Sequence, residues 1–197
     1  MFSLFIGSIL QFFVASSSPG VISPLGAQNM LARHEMSLET RYPDNFVNDV
    51  MKKNILLTLD YMGGGFTIEP GQTVSFHDIK LPKYDAATPL LSVHFSGAEG
   101  FLSDGWIVGD GVCHLASLIS WVAKDAGLTV EAPTNHDFRV IPEIPKEQGV
   151  SVYSNPFQRS RSEPQNLYIK NSLSHSVEFV FDYDGEVLGI STVEGSL

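Results

Sequence analysis

The chain has 197 residues, 43% of them hydrophobic, and a formal net charge of −10 from 12 Lys and Arg against 22 Asp and Glu. That composition supports a buried core of one-domain size and excludes a disordered chain. With no clustered basic run it also argues against nucleic acid and against charge-driven binding to an anionic membrane.

Residues 2–14, FSLFIGSILQFFV, are almost wholly apolar, and Ala15, Ser16, Ser17, Ser18, Pro19 and Gly20 follow; no charged side chain precedes Arg33. A short apolar run before small residues resembles a secretory signal and is shorter than a bilayer-spanning helix. The expected basic residues before the run are missing. The expectation is a signal-like or anchor segment over 1–18, with export or membrane attachment; the alternative is a buried element of a cytoplasmic domain. Pro19, Gly20, Pro24 and Gly26 suggest a linker over 19–39, leaving 40–197 as a single domain.

Residues 43–62 predict a helix. Pro43 suits a first helical position, Asp44 and Asn45 a helix start, and Val47, Val50, Met51, Asn54, Leu57, Thr58 and Tyr61 fall on one stripe. Gly63, Gly64 and Gly65 end it. Strands are expected at 66–68, 73–76, 90–95 and 106–108. The second helix is the clearest: over 111–126 the residues Val112, Leu115, Ala116, Ile119, Val122, Ala123 and Ala126 form a continuous apolar stripe, with Asp110 as N-cap and Gly127 just past the end. Further strands are expected at 128–131, 138–141, 150–153, 166–170, 177–183 and 186–191, the last two joined at Asp184-Gly185. Residues 157–165 read as a polar loop. The order predicts an α+β domain, two main helices packed on antiparallel strands.

Cys113, the one cysteine, falls at the start of the second helix, where the helix dipole favours a thiolate. Gly109 and Gly111 would let a substrate backbone approach closely. A nucleophilic cysteine needs a base within reach, and His136, after the helix has turned back through a strand, is the best placed. His114 is adjacent but points about 100° away on the helix. The alternative is a small buried apolar cysteine. Asp110, Cys113, His114 and His136 have no tight metal-ligand spacing, so neither metal nor cofactor is expected. His34, His77, His94 and His175 are scattered and read as surface or satisfied core positions.

Asn54-Ile55, PGQTVSF (70–76), GDGVCHLAS (109–117), His136 and NLYIKN (166–171), in that order, resemble the VanW family of bacterial cell-envelope proteins over about residues 40–180. That family is associated with glycopeptide-resistance gene clusters. The resemblance implies an envelope domain acting on, or binding, a cell-wall peptide or glycan. The family's Cys, His and Asp follow the chain order of papain-like thiol enzymes. By that analogy Cys113 would be the nucleophile, His136 the base, and Gln148, near the family's acidic position, the residue that orients the imidazole. Asn135, Asp137 and Asn155 are other candidates for that third role. Backbone N–H groups at Gly111–Cys113, with Gly109, Asp110 and His114 beside them, would bind the substrate or an oxyanion. Asp110 replaces the family's middle glycine and His114 its glutamine. The departures at 110, 114 and 148 favour a non-catalytic envelope or ligand-binding domain with a structural cysteine over a thiol-dependent hydrolase or transpeptidase on peptidoglycan-type amide bonds.

Overall fold

The chain folds into two four-stranded sheets around a central helix; a computed structural model describes residues 29–195. The signal-like segment expected at 1–18 and the first part of the linker lie outside the described residues. The second part of that linker is instead β1, Met30–Ser37, an edge strand paired antiparallel with β8. Its alternating exposed and covered residues place Met36 in the core.

α1 spans Asn45–Tyr61 and starts at Asp44, whose side chain accepts a hydrogen bond from the Phe46 N–H. Pro43 therefore stands just outside the helix. β2, Gly65–Ile68, follows the glycine turn, and β3 is Thr73–His77. β4 is Thr88–Leu91, shorter and earlier than expected, and it pairs with β3 in parallel, an exception to the antiparallel expectation. α2 is Val112–Asp125, followed by β5, Thr129–Glu131. A short helix, α3 at Arg159–Ser162, forms within the expected polar loop. β6, Tyr168–Lys170, leads to the hairpin of β7, Val177–Tyr183, and β8, Val187–Glu194. One sheet runs β1-β8-β7-β2 and the other β4-β3-β6-β5.

α2 carries the core. Its apolar stripe is buried, and so are His114, Ser117, Leu118 and Ser120, because the helix is covered on nearly all sides by β1, β8, β5 and α1. No helix among the described residues is long and apolar enough to cross a membrane.

Three expected strands do not form. Residues 106–108 sit in a turn with only an isolated bridge between Ser103 and Val108, and 138–141 run irregularly with Phe138 and Val140 exposed. Residues 150–153 are extended but pair with no neighbouring strand. One edge of this segment donates to loop carbonyls, Ser151 N–H to Thr134 and Tyr153 N–H to Gln165. The other edge meets side chains of α2, with Val150 N–H bonded to Ser117 Oγ and Val152 N–H to Cys113 Sγ.

The two asparagines of NLYIKN bracket β6. Asn166 Nδ2 donates to the carbonyls of His77 and Ile79, both at 3.1 Å. Asn171 Nδ2 donates to those of Ile68 and His175, both at 2.8 Å. These amides replace ladder hydrogen bonds where the strands end, which explains their burial.

Candidate functional site

The cysteine loop is fixed from below by α1. Fully buried Asn54 donates through Nδ2 to the carbonyls of Leu102 (3.0 Å) and Asp110 (2.9 Å), and its Oδ1 accepts from Leu102 N–H (2.8 Å). Gly111 sits on the same helix: a Cβ there would lie 2.8 Å from the Met51 carbonyl oxygen, and its φ of 99° is one that side chains rarely adopt. This glycine, not Asp110, is the N-cap of α2. Asp110 uses Oδ1 to accept from the N–H of Gly111 itself at 3.0 Å.

Cys113 is thus the second residue of α2, half-buried, with Sγ 3.5 Å from both the N–H and the carbonyl of Val152. One turn later Ser117 Oγ donates to the Cys113 carbonyl at 2.7 Å and accepts from Val150 N–H at 2.8 Å. Cys113 and Ser117, four residues apart on one face, fasten the extended 150–155 segment to the helix. Burial pushes the thiol up to about 11, and the nearby Asp110 carboxylate adds to this. The helix dipole does not overcome that desolvation.

His136 is buried beside the same cleft. Its Nδ1 is 3.0 Å from the Arg139 carbonyl, which can only accept, so the proton sits on Nδ1 and Nε2 carries the lone pair. Burial lowers its pKa. The ring packs against Phe138 (centroids 4.0 Å apart) and edge-on to His114 (5.7 Å). Among the described residues, Cys113 Sγ makes no hydrogen bond to either imidazole.

The predicted site residues separate into two groups. Gly109, Asp110, Gly111, Cys113 and His136 line one cleft of about 520 Å³. His114 does not reach it; fully buried, it lies between Tyr42 and His136 with Nδ1 unpartnered, and burial drives its pKa well below the usual histidine value. Gln148 is also elsewhere: its Oε1 accepts from Lys124 Nζ at 2.8 Å on the surface, so the imidazole is oriented by the Arg139 carbonyl instead. Among the substitutes, Asp137 faces Lys146 at 3.9 Å, Asn135 is exposed, and Asn155 lines the cleft but caps its own turn at Phe157. Two of the three expected oxyanion donors are engaged: Gly111 N–H by Asp110 and Val112 N–H by the Gly109 carbonyl.

Among the cleft residues, Ser154 had no signal in the sequence, whereas Asp110 was expected there. Ser154 is buried at the cleft with Oγ unpartnered, and Asp110 Oδ2 is likewise enclosed without a hydrogen bond, 3.9 Å from Arg139 Nη1. Burial and the neighbouring Asp104 carboxylate raise the Asp110 pKa. Arg139 is held over the Tyr42 ring, its Cζ 3.5 Å from the ring centroid. A second cavity of about 150 Å³ lies on the other side of His136, walled by Val140, Ile141, Ile144 and Pro145.

Comparison with known proteins gives no match: no family model fits the chain, and no curated protein or solved structure is significantly similar to it.

Proposed function

We propose that this chain is a VanW-like cell-envelope domain whose cleft binds a peptide-like ligand, with Cys113 as a neutral, structural thiol in the cleft wall. The observation that carries the reading is the thiol's setting. Sγ is engaged by the Val152 backbone, has no imidazole partner, and is desolvated so that its pKa rises to about 11. A thiol built for attack at neutral pH has the opposite shift. The enclosed Ser154 Oγ supports a ligand here, since buried polar atoms without partners are rare in folded proteins. Apolar walls at Phe95, Ile107 and Val152 suit the rest of such a ligand.

The pH dependence of iodoacetamide alkylation tests this. A thiol at about 11 rather than 9 reacts roughly a hundredfold more slowly than a free one at neutral pH, and its rate climbs through the alkaline range. An inflection near neutrality would sink the structural reading. The ligand side is tested by titrating the amide-labelled protein with soluble muropeptides. Shifts confined to Gly109–Cys113 and Val152–Asn155 are expected, and no shifts there would remove the envelope reading.

A second reading, a thiol hydrolase or transpeptidase on peptidoglycan-type amide bonds, is favoured by one specific feature. His136 has Nδ1 anchored on a carbonyl and Nε2 free, the arrangement a general base requires, in the same cleft as Cys113. Turnover of a cell-wall peptide that is lost in both Cys113→Ala and His136→Gln would establish it over the first.

A further inference from the structure

The mouth of the cleft displays large apolar side chains in a way a water-facing rim does not require. Trp106 is 92% exposed, Phe138 74%, Val140 80% and Phe157 95%. They stand on three separate loops: Ile107, Phe138 and Phe157 line the cleft, Trp106 neighbours Ile107 in the chain, and Val140 borders the adjoining cavity. Scattered single exposures need no explanation, but a group of them beside one cleft does.

The charges of these loops are few and partnered. The 102–109 loop has one charge, Asp104, and its Oδ1 accepts from the N–H groups of Trp106 and Ile107, both at 2.9 Å. The 153–158 loop has none. On the third loop the Arg139 guanidinium lies over Tyr42, and Asp137 sits 3.9 Å from Lys146. The tips are therefore mainly apolar, and the charges beside them are partnered, on a chain whose net charge is −10.

We infer that this rim docks on a neutral lipid surface, with Trp106, Phe138 and Phe157 entering the interfacial layer. Trp and Phe at loop tips suit that layer, where an aromatic body meets a partly wet environment. The interfacial layer is wet enough to solvate the polar backbone of these loops while it takes up their aromatic tips, and the partnered charges beside them do not oppose it. The net negative charge opposes binding to anionic lipid, so attachment is by apolar contact. The uncharged, apolar stretch at residues 2–14, joined to Asn29 by 14 uncharged residues, is compatible with a domain kept beside a bilayer. The inference does not depend on what the cleft binds.

The full chain carrying Trp121→Phe leaves Trp106 as the one tryptophan; Trp121 stacks on His34, a contact Phe retains. Its emission is read with neutral phosphatidylcholine vesicles, plain or brominated on the acyl chains. A blue shift with plain vesicles and loss of intensity with brominated ones are expected. Both should vanish in the Phe138→Ser/Phe157→Ser double variant; Phe138 also packs on His136, so an unchanged melting temperature is required to show that the fold is kept. Anionic lipid should not strengthen the effect. Four outcomes overturn the proposal: no change of emission; vesicle sedimentation without quenching of Trp106; quenching that survives the double variant; or a shift that follows protein concentration in the absence of lipid, which would assign the rim to a second copy.

Discussion

At the residue scale, Cys113 shows how an environment sets the chemistry of a group. Position in the first helical turn pulls a thiol toward the thiolate, and desolvation pushes the other way; here desolvation wins. What remains is a weak donor and acceptor bridging the N–H and carbonyl of Val152. Replacing it by alanine leaves that buried N–H without a partner, and Cys113→Ala is expected to lower stability by about 1–2 kcal/mol in urea unfolding. Cys113→Ser should lose less, because a hydroxyl can still bond. His136 is governed by the same balance, and its neutral, Nδ1-protonated form is fixed by a backbone carbonyl. The sequence paired Cys113 with His136, and both line one cleft. It misassigned Gln148, since no spacing rule shows that a surface lysine on α2 will take its amide.

At the scale of elements, the cleft exists because α1 and α2 cross closely and an extended segment lies along the start of α2. Gly111 allows the crossing and Asn54 stitches it, holding the ends of the 102–110 loop with three hydrogen bonds. Asn54→Ala removes all three from a fully enclosed position and is expected to cost about 3 kcal/mol. Hydrogen exchange at the Leu102 amide should speed up with it, while amides of β7 and β8 keep their relative protection. Both helices were legible because their apolar periodicity is long and their caps are explicit, although the cap of α2 moved from Asp110 to Gly111. The strand expected at 150–153 was half legible. Alternation in VSVY gives the extended backbone, but whether an extended segment joins a sheet depends on which atoms come alongside it, and here those are Ser117 Oγ and Cys113 Sγ.

For the whole molecule, two sheets enclose one helix, and buried titratable groups tie that packing to pH. His77 is fully buried, with Nε2–H donating to the Gln165 carbonyl (2.8 Å) and Nδ1 accepting from Ile79 N–H (3.2 Å), so it folds neutral and burial takes its pKa down to about 4. Below pH ~6.5 the unfolded chain takes up a proton there that the folded chain refuses, so stability falls as the pH drops from ~6.5 toward 4. The full loss from this residue is about 3 kcal/mol. Buried His114 acts in the same direction. Melting temperatures measured from pH 7 to pH 4.5 should decline less steeply for His77→Gln than for the parent chain, and equal slopes would refute the assignment.

The sequence by itself determined the α+β class, both main helices and the β7–β8 hairpin, because periodicity, capping residues and turn residues act over a few positions. Only the tertiary structure decided that β1 belongs to the domain, that β3 and β4 run parallel, that 106–108 and 138–141 are loops with apolar tips, and that burial pushes the thiol's pKa up. Each of these depends on what lies across from a residue, and pairing partners, exposure and desolvation arise from segments far apart in the chain.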